Sequence, residues 1–179
     1  PRFDRRYDEL IYQPMRELLD YLDAHDFKVF IVSGGGIDFI RVFAEEVYGI
    51  PPDRVIGSSL TARFDGRDAN AVIVKGTDIA SVNDKAVKPV NINLHIGRRP
   101  ILAFGNSDGD LQMLQYTDSG AGTRLSLILR HDDPDREWQY DRESPVGRLD
   151  EALDVAEERG WVVVSMRDDF RSVFAFDGH

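Results

Sequence analysis

The order of short apolar runs and helix-like segments is the feature of this 179-residue sequence that most restricts its fold. Apolar runs typical of buried strands cover residues 29–32, 55–60, 100–105, 124–130 and 161–166. Most of the segments between these runs carry apolar residues at helical spacing. Strands that alternate with helices predict an α/β protein with a parallel sheet covered by helices on both faces.

One segment departs from this alternation. The stretch ARFDGRDANAVIVKG reads as a β-hairpin, in which Asp65-Gly66 is the turn signal. We therefore expect a small hairpin insertion at about residues 61–76 of a single domain that otherwise spans residues 1–179.

Composition excludes several classes of protein. The chain has 32 acidic and 22 basic residues and a net charge of −10, which argues against a nucleic-acid partner. It has no cysteine, so a disulfide framework, thiolate metal ligands and a cysteine nucleophile are all excluded. No apolar run approaches the ~20 residues of a membrane span, so no membrane partner is expected. A small phosphorylated substrate remains compatible, because it needs only a local positive site.

Two polar loops follow predicted strands. In parallel sheets ligands bind beyond the carboxyl ends of the strands, where the sequences SGGG and GNSDGD fall here. Ser33 and the glycines after it, Gly34 and Gly35, precede a predicted helix. A hydroxyl and backbone N–H groups at that position suit an anion, although a plain strand-to-helix turn is equally compatible with the sequence. The glycines match neither a dinucleotide fingerprint nor a Walker loop.

The second loop gathers oxygen ligands. Asn106, Asp108 and Asp110 crowd one strand end, and carboxylates are costly to gather without a cation. Amide and carboxylate oxygens suit Mg²⁺. The alternative is a polar turn in which Asp110 caps the next helix.

A lysine near a helix start is the third candidate. Lys88 precedes Pro89, and a cation there opposes the helix dipole. An anion at this end would explain the lysine, although most surface lysines only interact with solvent. Lys85 is a second candidate. The four histidines show no metal spacing, and we assign them no role.

Taken in this order, the three signals resemble those of the haloacid-dehalogenase-like phosphohydrolases, over nearly the whole chain. The phosphoserine-phosphatase-like branch, with its bacterial acid phosphatases, is the most similar. The resemblance implies a Rossmann-like core, a Mg²⁺ cofactor and a phosphate site at Ser33, Gly34, Gly35 and Lys88, with Lys85 as the alternative lysine.

The fourth motif of that family contains the metal ligands. It matches Asn106 and Asp110, and Asp108 is expected to compensate for the asparagine, which replaces a carboxylate.

A larger departure concerns the nucleophile. The family's first motif, D-x-D-x-T/V, does not occur before SGGG. In the family it ends the central strand of the sheet, so the resemblance implies that this chain is the C-terminal part of a longer enzyme. An upstream segment would complete the sheet between the strands that end near Ser33 and Gly105. Without it, two internal edges would stay unpaired, which native sheets avoid.

The expected function is Mg²⁺-dependent hydrolysis of a phosphomonoester through an aspartyl-phosphate on an upstream aspartate. Residues 1–179 alone are expected to be inactive. Phosphonate or haloacid chemistry is the alternative among enzymes. A non-catalytic phosphate-binding or interaction module of the same fold is the alternative outside them.

Overall fold

The computed structural model describes residues 3–66 and 71–177. The strands in this part of the chain are β1 (Ile31–Gly36), β2 (Val55–Asp65), β3 (Val72–Ser81), β4 (Leu102–Gly105), β5 (Leu125–Arg130) and β6 (Val162–Ser165). The helices are α1 (Gln13–Ala24), α2 (Ile37–Arg41), α3 (Ala44–Tyr48), α4 (Val87–Ile96), α5 (Leu111–Asp118), α6 (Glu151–Arg159) and α7 (Met166–Asp169). The predicted α/β class is confirmed.

The strands form two three-stranded sheets rather than the single sheet that the sequence predicts. In the first, β1 pairs with β2 in parallel, and β2 pairs with β3 antiparallel. In the second, β4, β5 and β6 are all parallel, in that order. Among the described residues, β1 and β4 therefore each pair on one side only, and both sheets end where the sequence predicts a missing central strand.

A shared core joins the two sheets. Ile56 of β2 packs in one buried cluster with Ala103 of β4 and Ile128 of β5. Ile92 of α4 lies in the same cluster and is almost completely buried. Because apolar burial is the main stabilising contribution to folding, this cluster holds the two sheets together without strand pairing between them.

The glycine run is part of a strand. The sequence predicts that the first strand ends at Val32 and that the residues SGGG form a loop, whereas β1 continues to Gly36. Its pairing with β2 shifts register between Val32 and Gly36, where Gly36 lies opposite Ser58. Glycine has no side chain to pack, so the backbone irregularity is accommodated here.

The single helix predicted after this strand is two short helices. Residues 42–43 form a turn between α2 and α3, and Phe43 adopts a non-helical conformation with φ −124° and ψ −12°. The predicted end is correct, because Gly49 adopts the left-handed conformation that closes α3. The predicted helix starting near Pro89 is α4, which Gly97 closes in the same way.

The antiparallel pair β2–β3 is longer than the predicted hairpin. β2 starts at Val55, so one continuous strand covers both the predicted second strand and the first arm of the hairpin. The second arm extends to Ser81. The predicted turn signal lies at the end of the first arm, because Asp65 is the last residue of β2 and Gly66 follows it; residues 67–70, between the arms, lie outside the described residues. Within the described residues, no helix is long and apolar enough to cross a membrane.

Candidate active site

A cleft of about 520 Å³ separates the two sheets. Val32, Ser33 and Gly34 of β1 line the cleft together with Phe104 and Gly105 of β4. The remaining lining residues are Tyr12, Met15, Asp84, Lys88, Asn106, Ser107, Asp110, Leu129, His131 and Tyr140. The cleft thus lies at the strand ends where the sequence predicts a ligand site.

Neighbouring residues donate hydrogen bonds to both the side chain and the backbone of Ser33. Its Oγ accepts a hydrogen bond from the Gly35 N–H at 3.0 Å, and its carbonyl accepts one from Asn83 Nδ2 at 2.9 Å. The Gly34 carbonyl accepts the Ser58 hydroxyl at 2.7 Å. Ser33 and Gly34 line the cleft, whereas Gly35 does not, and its N–H is already bonded to Ser33.

Asn83 is a residue that the sequence reasoning missed. It is completely buried, and its Oδ1 accepts a hydrogen bond from Asn91 Nδ2 at 3.0 Å. Its backbone N–H donates to Ser58 Oγ at 3.0 Å. Asn83 therefore connects α4, β2 and the end of β1, which makes it a positioning residue for Ser33. No spacing rule marks such a residue, because its partners are distant in sequence.

Lys88 and Asp110 form a buried ion pair at the base of the cleft. The distance from Lys88 Nζ to Asp110 Oδ1 is 2.6 Å, and Lys88 and Asp110 are 6% and 5% exposed. Lys88 Nζ also donates to the Val32 carbonyl at 3.0 Å. The other predicted lysine, Lys85, is exposed, does not line the cleft and has a positive φ of 49°. Of the two, the structure brings Lys88 alone to the cleft.

The GNSDGD segment forms a tight turn around Asp110. Asp110 Oδ2 accepts the backbone N–H groups of Asn106 at 2.9 Å and of Ser107 at 3.2 Å. Gly105 allows this approach, since a Cβ there would lie 2.5 Å from the Cβ of Asp110. The polar turn is therefore present, but the Asp110 side chain makes no capping hydrogen bond to α5, and its carboxylate lines the cleft instead.

Asp108 is directed elsewhere. Its Oδ1 accepts the backbone N–H groups of Asp150 at 2.9 Å and of Ala152 at 3.0 Å, at the start of α6. Asp108 does not line the cleft. The structure therefore places it as a cap of α6 rather than beside Asn106 and Asp110, and the expected compensation for Asn106 has no geometric support.

Three further residues of the cleft were missed from the sequence. Asp84 lies at its rim, close to Gly109, whose added Cβ would be 2.5 Å from Asp84 Oδ1. Tyr140 and His131 also line the cleft, and Asn106 Nδ2 donates to Tyr140 Oη at 3.4 Å; the sequence assigned the histidine no role. Burial lowers the pKa of His131 to about 4 and raises the pKa of Tyr140, so both side chains are neutral near pH 7.

Of the three predicted oxygen ligands, Asn106 and Asp110 line the cleft and Asp108 does not. Among residues 3–66 and 71–177, no group of three or more acidic or histidine side chains is arranged to hold a metal ion. Mg²⁺ usually takes only one or two protein carboxylates and completes its shell with water and phosphate oxygens. The amide of Asn106 and the carboxylate of Asp110 fit that partial ligand set.

A family model identifies the class of protein. Residues 1–115 match the haloacid dehalogenase-like hydrolase model. This match covers more than half of the chain. The chain therefore belongs to the haloacid dehalogenase-like hydrolase family, as the sequence resemblance indicated. A search of curated proteins finds no match.

Two solved structures are similar to this chain. A conserved protein of unknown function from Anaerococcus prevotii DSM 20548 has a TM-score of 0.57 at 23% identity, over 86% of this chain and 37% of that chain. A phosphoserine phosphohydrolase-like protein from Francisella tularensis subsp. tularensis SCHU S4 has a TM-score of 0.47 at 18% identity, over 66% of this chain and 50% of that chain. The first similarity shows a shared fold. The chain spans less than two thirds of either protein.

Proposed function

We propose that the intact protein is a Mg²⁺-dependent phosphomonoester hydrolase whose phosphate-binding and metal-binding groups lie in the cleft between β1 and β4. The observation that carries the proposal is the meeting of Ser33, Lys88, Asn106 and Asp110 around that one cleft. They come from three separate segments of a chain whose net charge is −10. A local cation and hydroxyl beside two oxygen ligands suit a phosphate group together with a metal ion.

Lys88 and Ser33 each have a hydrogen-bond donor without a partner among the described residues, which supports an anion in this cleft. An ammonium group has three donors, and Lys88 uses two of them, on Asp110 and on Val32. Ser33 Oγ accepts the Gly35 N–H, so the hydroxyl's own hydrogen remains for another acceptor. Both remaining donors suit a phosphate oxygen, whose charge increases the strength of such bonds.

Asn106 and Asp110 would hold Mg²⁺ when it is bound. The ion neutralises charge on the phosphoryl oxygens and orients them. Asp110 is pre-oriented for this role by the Asn106 and Ser107 N–H groups, which keep its carboxylate at the end of β4. Asp108 is not included in the ligand set, because its carboxylate caps α6.

The nucleophile is proposed to come from a segment upstream of Pro1. Residues of β1 and of β4 both line the cleft, and among the described residues each of these strands pairs with one other strand only. A parallel strand inserted there would satisfy both edges. An aspartate at its carboxyl end would then lie beside Ser33 and Lys88. Attack of its carboxylate on phosphorus forms an aspartyl-phosphate and expels the alcohol, and water then releases phosphate.

A non-catalytic phosphate-binding module is the second candidate. The carboxylates that line the cleft among the described residues are Asp84 and Asp110. Asp110 is bonded to Lys88 and to two backbone N–H groups, which stabilise its charge and make it a poor nucleophile. If the natural protein contains no upstream aspartate, the same cleft would bind phosphate without hydrolysing it.

Hydrolysis of para-nitrophenyl phosphate by the full-length protein, with Mg²⁺ and with a chelator, distinguishes these candidates. We expect Mg²⁺-dependent turnover, with kcat/KM roughly tenfold or more lower in Ser33→Ala, because a hydrogen bond to a charged group is lost. Ser144→Ala is the matched control, since that hydroxyl donates to Val146 away from the cleft. Phosphate binding without hydrolysis would favour the non-catalytic module, and absence of both would refute the proposal.

A further inference from the structure

The loop between β5 and α6 folds back to place a tyrosine in the cleft. His131 and Tyr140 form an isolated antiparallel bridge, in which the Tyr140 N–H donates to the His131 carbonyl at 3.1 Å. Their rings stack at 4.0 Å with an angle of 21°. Gly147 also lies against the Tyr140 ring, so closely that a Cβ on Gly147 would be 2.8 Å from Cε2 of the tyrosine. The ring is therefore held in one orientation, with its hydroxyl beside Asn106.

Two side chains form hydrogen bonds with the Tyr140 hydroxyl. His131 Nε2 lies 2.8 Å from Oη, and Asn106 Nδ2 donates to Oη at 3.4 Å. The direction of the first bond depends on which nitrogen of His131 carries the proton. The neutral ring has one N–H, on either Nδ1 or Nε2.

Burial decides between the two forms of His131. The residue is 1% exposed, and its Nδ1 has no hydrogen-bond partner in the part of the chain that the structure describes. A proton on Nδ1 would leave a buried N–H without an acceptor, which is rare and costly. A proton on Nε2 leaves only an unused lone pair inside and allows Nε2–H to donate to Tyr140. The Nε2–H form is therefore the favoured one.

This arrangement fills the acceptor positions of the Tyr140 oxygen. A tyrosine hydroxyl both donates and accepts. With His131 and Asn106 both donating to Oη, its own hydrogen has no acceptor among the described residues and is left for the cleft, which Tyr140 lines.

We propose that Tyr140 is a ligand-contacting residue that donates its hydroxyl hydrogen to an oxygen of the anion bound in the cleft, and that His131 is the positioning residue that directs this hydrogen. The identity of the anion as a phosphate group rests on the proposed function. Tyr140 would thus be a third donor to the anion, in addition to Ser33 and Lys88. It is uncharged and lies on the side of the cleft next to Asn106.

The tautomer of His131 is measured first, by ¹⁵N NMR of the full-length protein labelled at histidine. The His131 signals are assigned by their loss in His131→Gln. We expect a protonated Nε2 and an unprotonated Nδ1. A protonated Nδ1 would mean that Tyr140 donates to the histidine, and this result would overturn the proposal whatever the protein binds.

Binding of inorganic phosphate, measured by calorimetry, tests the contact itself. We expect Tyr140→Phe to bind phosphate roughly tenfold or more weakly than the wild type, because a bond to a charged acceptor is lost. Phe retains the stacked ring, and thermal unfolding checks that the fold is kept. Tyr7→Phe is the control, since Tyr7 is 90% exposed. Equal affinities of wild type and Tyr140→Phe would overturn the proposal while leaving the proposed function intact.

His131 variants separate positioning from simple packing. Gln can present its amide N–H near the position of Nε2, so His131→Gln should keep most of the phosphate affinity. Leu cannot donate, so His131→Leu should lose several-fold in affinity. Equal affinities in both variants would remove His131 from the proposal. Failure of the wild-type protein to bind phosphate would instead refute the proposed function, and the Tyr140 contact with it.

Discussion

Removing the charge of Lys88 is expected to destabilise the protein, because it leaves Asp110 buried without its cation. Both side chains are less than a tenth exposed, and their charged atoms are 2.6 Å apart. Removing one partner of a buried pair typically costs about 3–5 kcal/mol. Asp110 keeps the N–H groups of Asn106 and Ser107, so the lower end of that range applies to Lys88→Met.

We therefore expect Lys88→Met to lower the free energy of unfolding by about 3 kcal/mol in urea denaturation, or the melting temperature by roughly 6–12 °C. Lys75→Met is the matched control. Its ion pair with Asp38 is similarly short, at 2.8 Å, but the two side chains are 45% and 50% exposed. Exposed pairs contribute less than about 1 kcal/mol, so this variant should be almost as stable as the wild type.

A double-mutant cycle isolates the interaction. Asp110→Asn keeps an oxygen for the backbone N–H groups but removes the charge. Combined with Lys88→Met, it leaves no unpaired buried charge, so the double variant should be at least about 2 kcal/mol more stable than the sum of the two single losses implies. Additive losses, or a Lys88→Met loss no larger than that of Lys75→Met, would refute the reasoning.

Three further predictions concern other groups of the site. Asp108→Ala should lower the free energy of unfolding by about 1 kcal/mol by removing the cap of α6, as urea denaturation would detect, and it should leave Mg²⁺ binding unchanged. Asn106→Asp should retain or improve Mg²⁺ affinity in calorimetry, because a carboxylate replaces an amide; abolished binding would exclude Asn106 as a simple ligand. Lowering the pH from about 7 to about 4 should destabilise the wild type by about 3 kcal/mol more than His131→Gln, since the unfolded chain protonates His131 near 6.5 and the folded one only near 4. Equal pH profiles would contradict the burial argument.

The elements were largely predictable from the sequence, because apolar periodicity and glycine placement act locally. β4, β5, β6 and the ends of α3 and α4 lie close to where these signals place them. The exceptions are long-range. β1 continues through the glycines because Gly36 pairs with Ser58, and nothing within residues 31–36 reveals that partner.

The candidate site was predictable in part. Ser33, Lys88, Asn106 and Asp110 were selected from strand ends and a helix start, and the structure brings all four to one cleft. Asp108 was selected with them by proximity in sequence. Asp108–Asp110 form one 3-10 turn with about three residues per turn, so Asp108 and Asp110 point in different directions, and the carboxylate of Asp108 caps α6.

What the sequence by itself determined is the order of strands and helices and the polar groups at the strand ends, because these depend on local periodicity and residue chemistry. Only the tertiary structure decided that the strands divide into two sheets with a cleft between β1 and β4. It also decided that Asn83 supports Ser33, and that Tyr140 lies against His131. These contacts join residues far apart in sequence, and they arise from packing and from the satisfaction of buried polar groups, which no local pattern records.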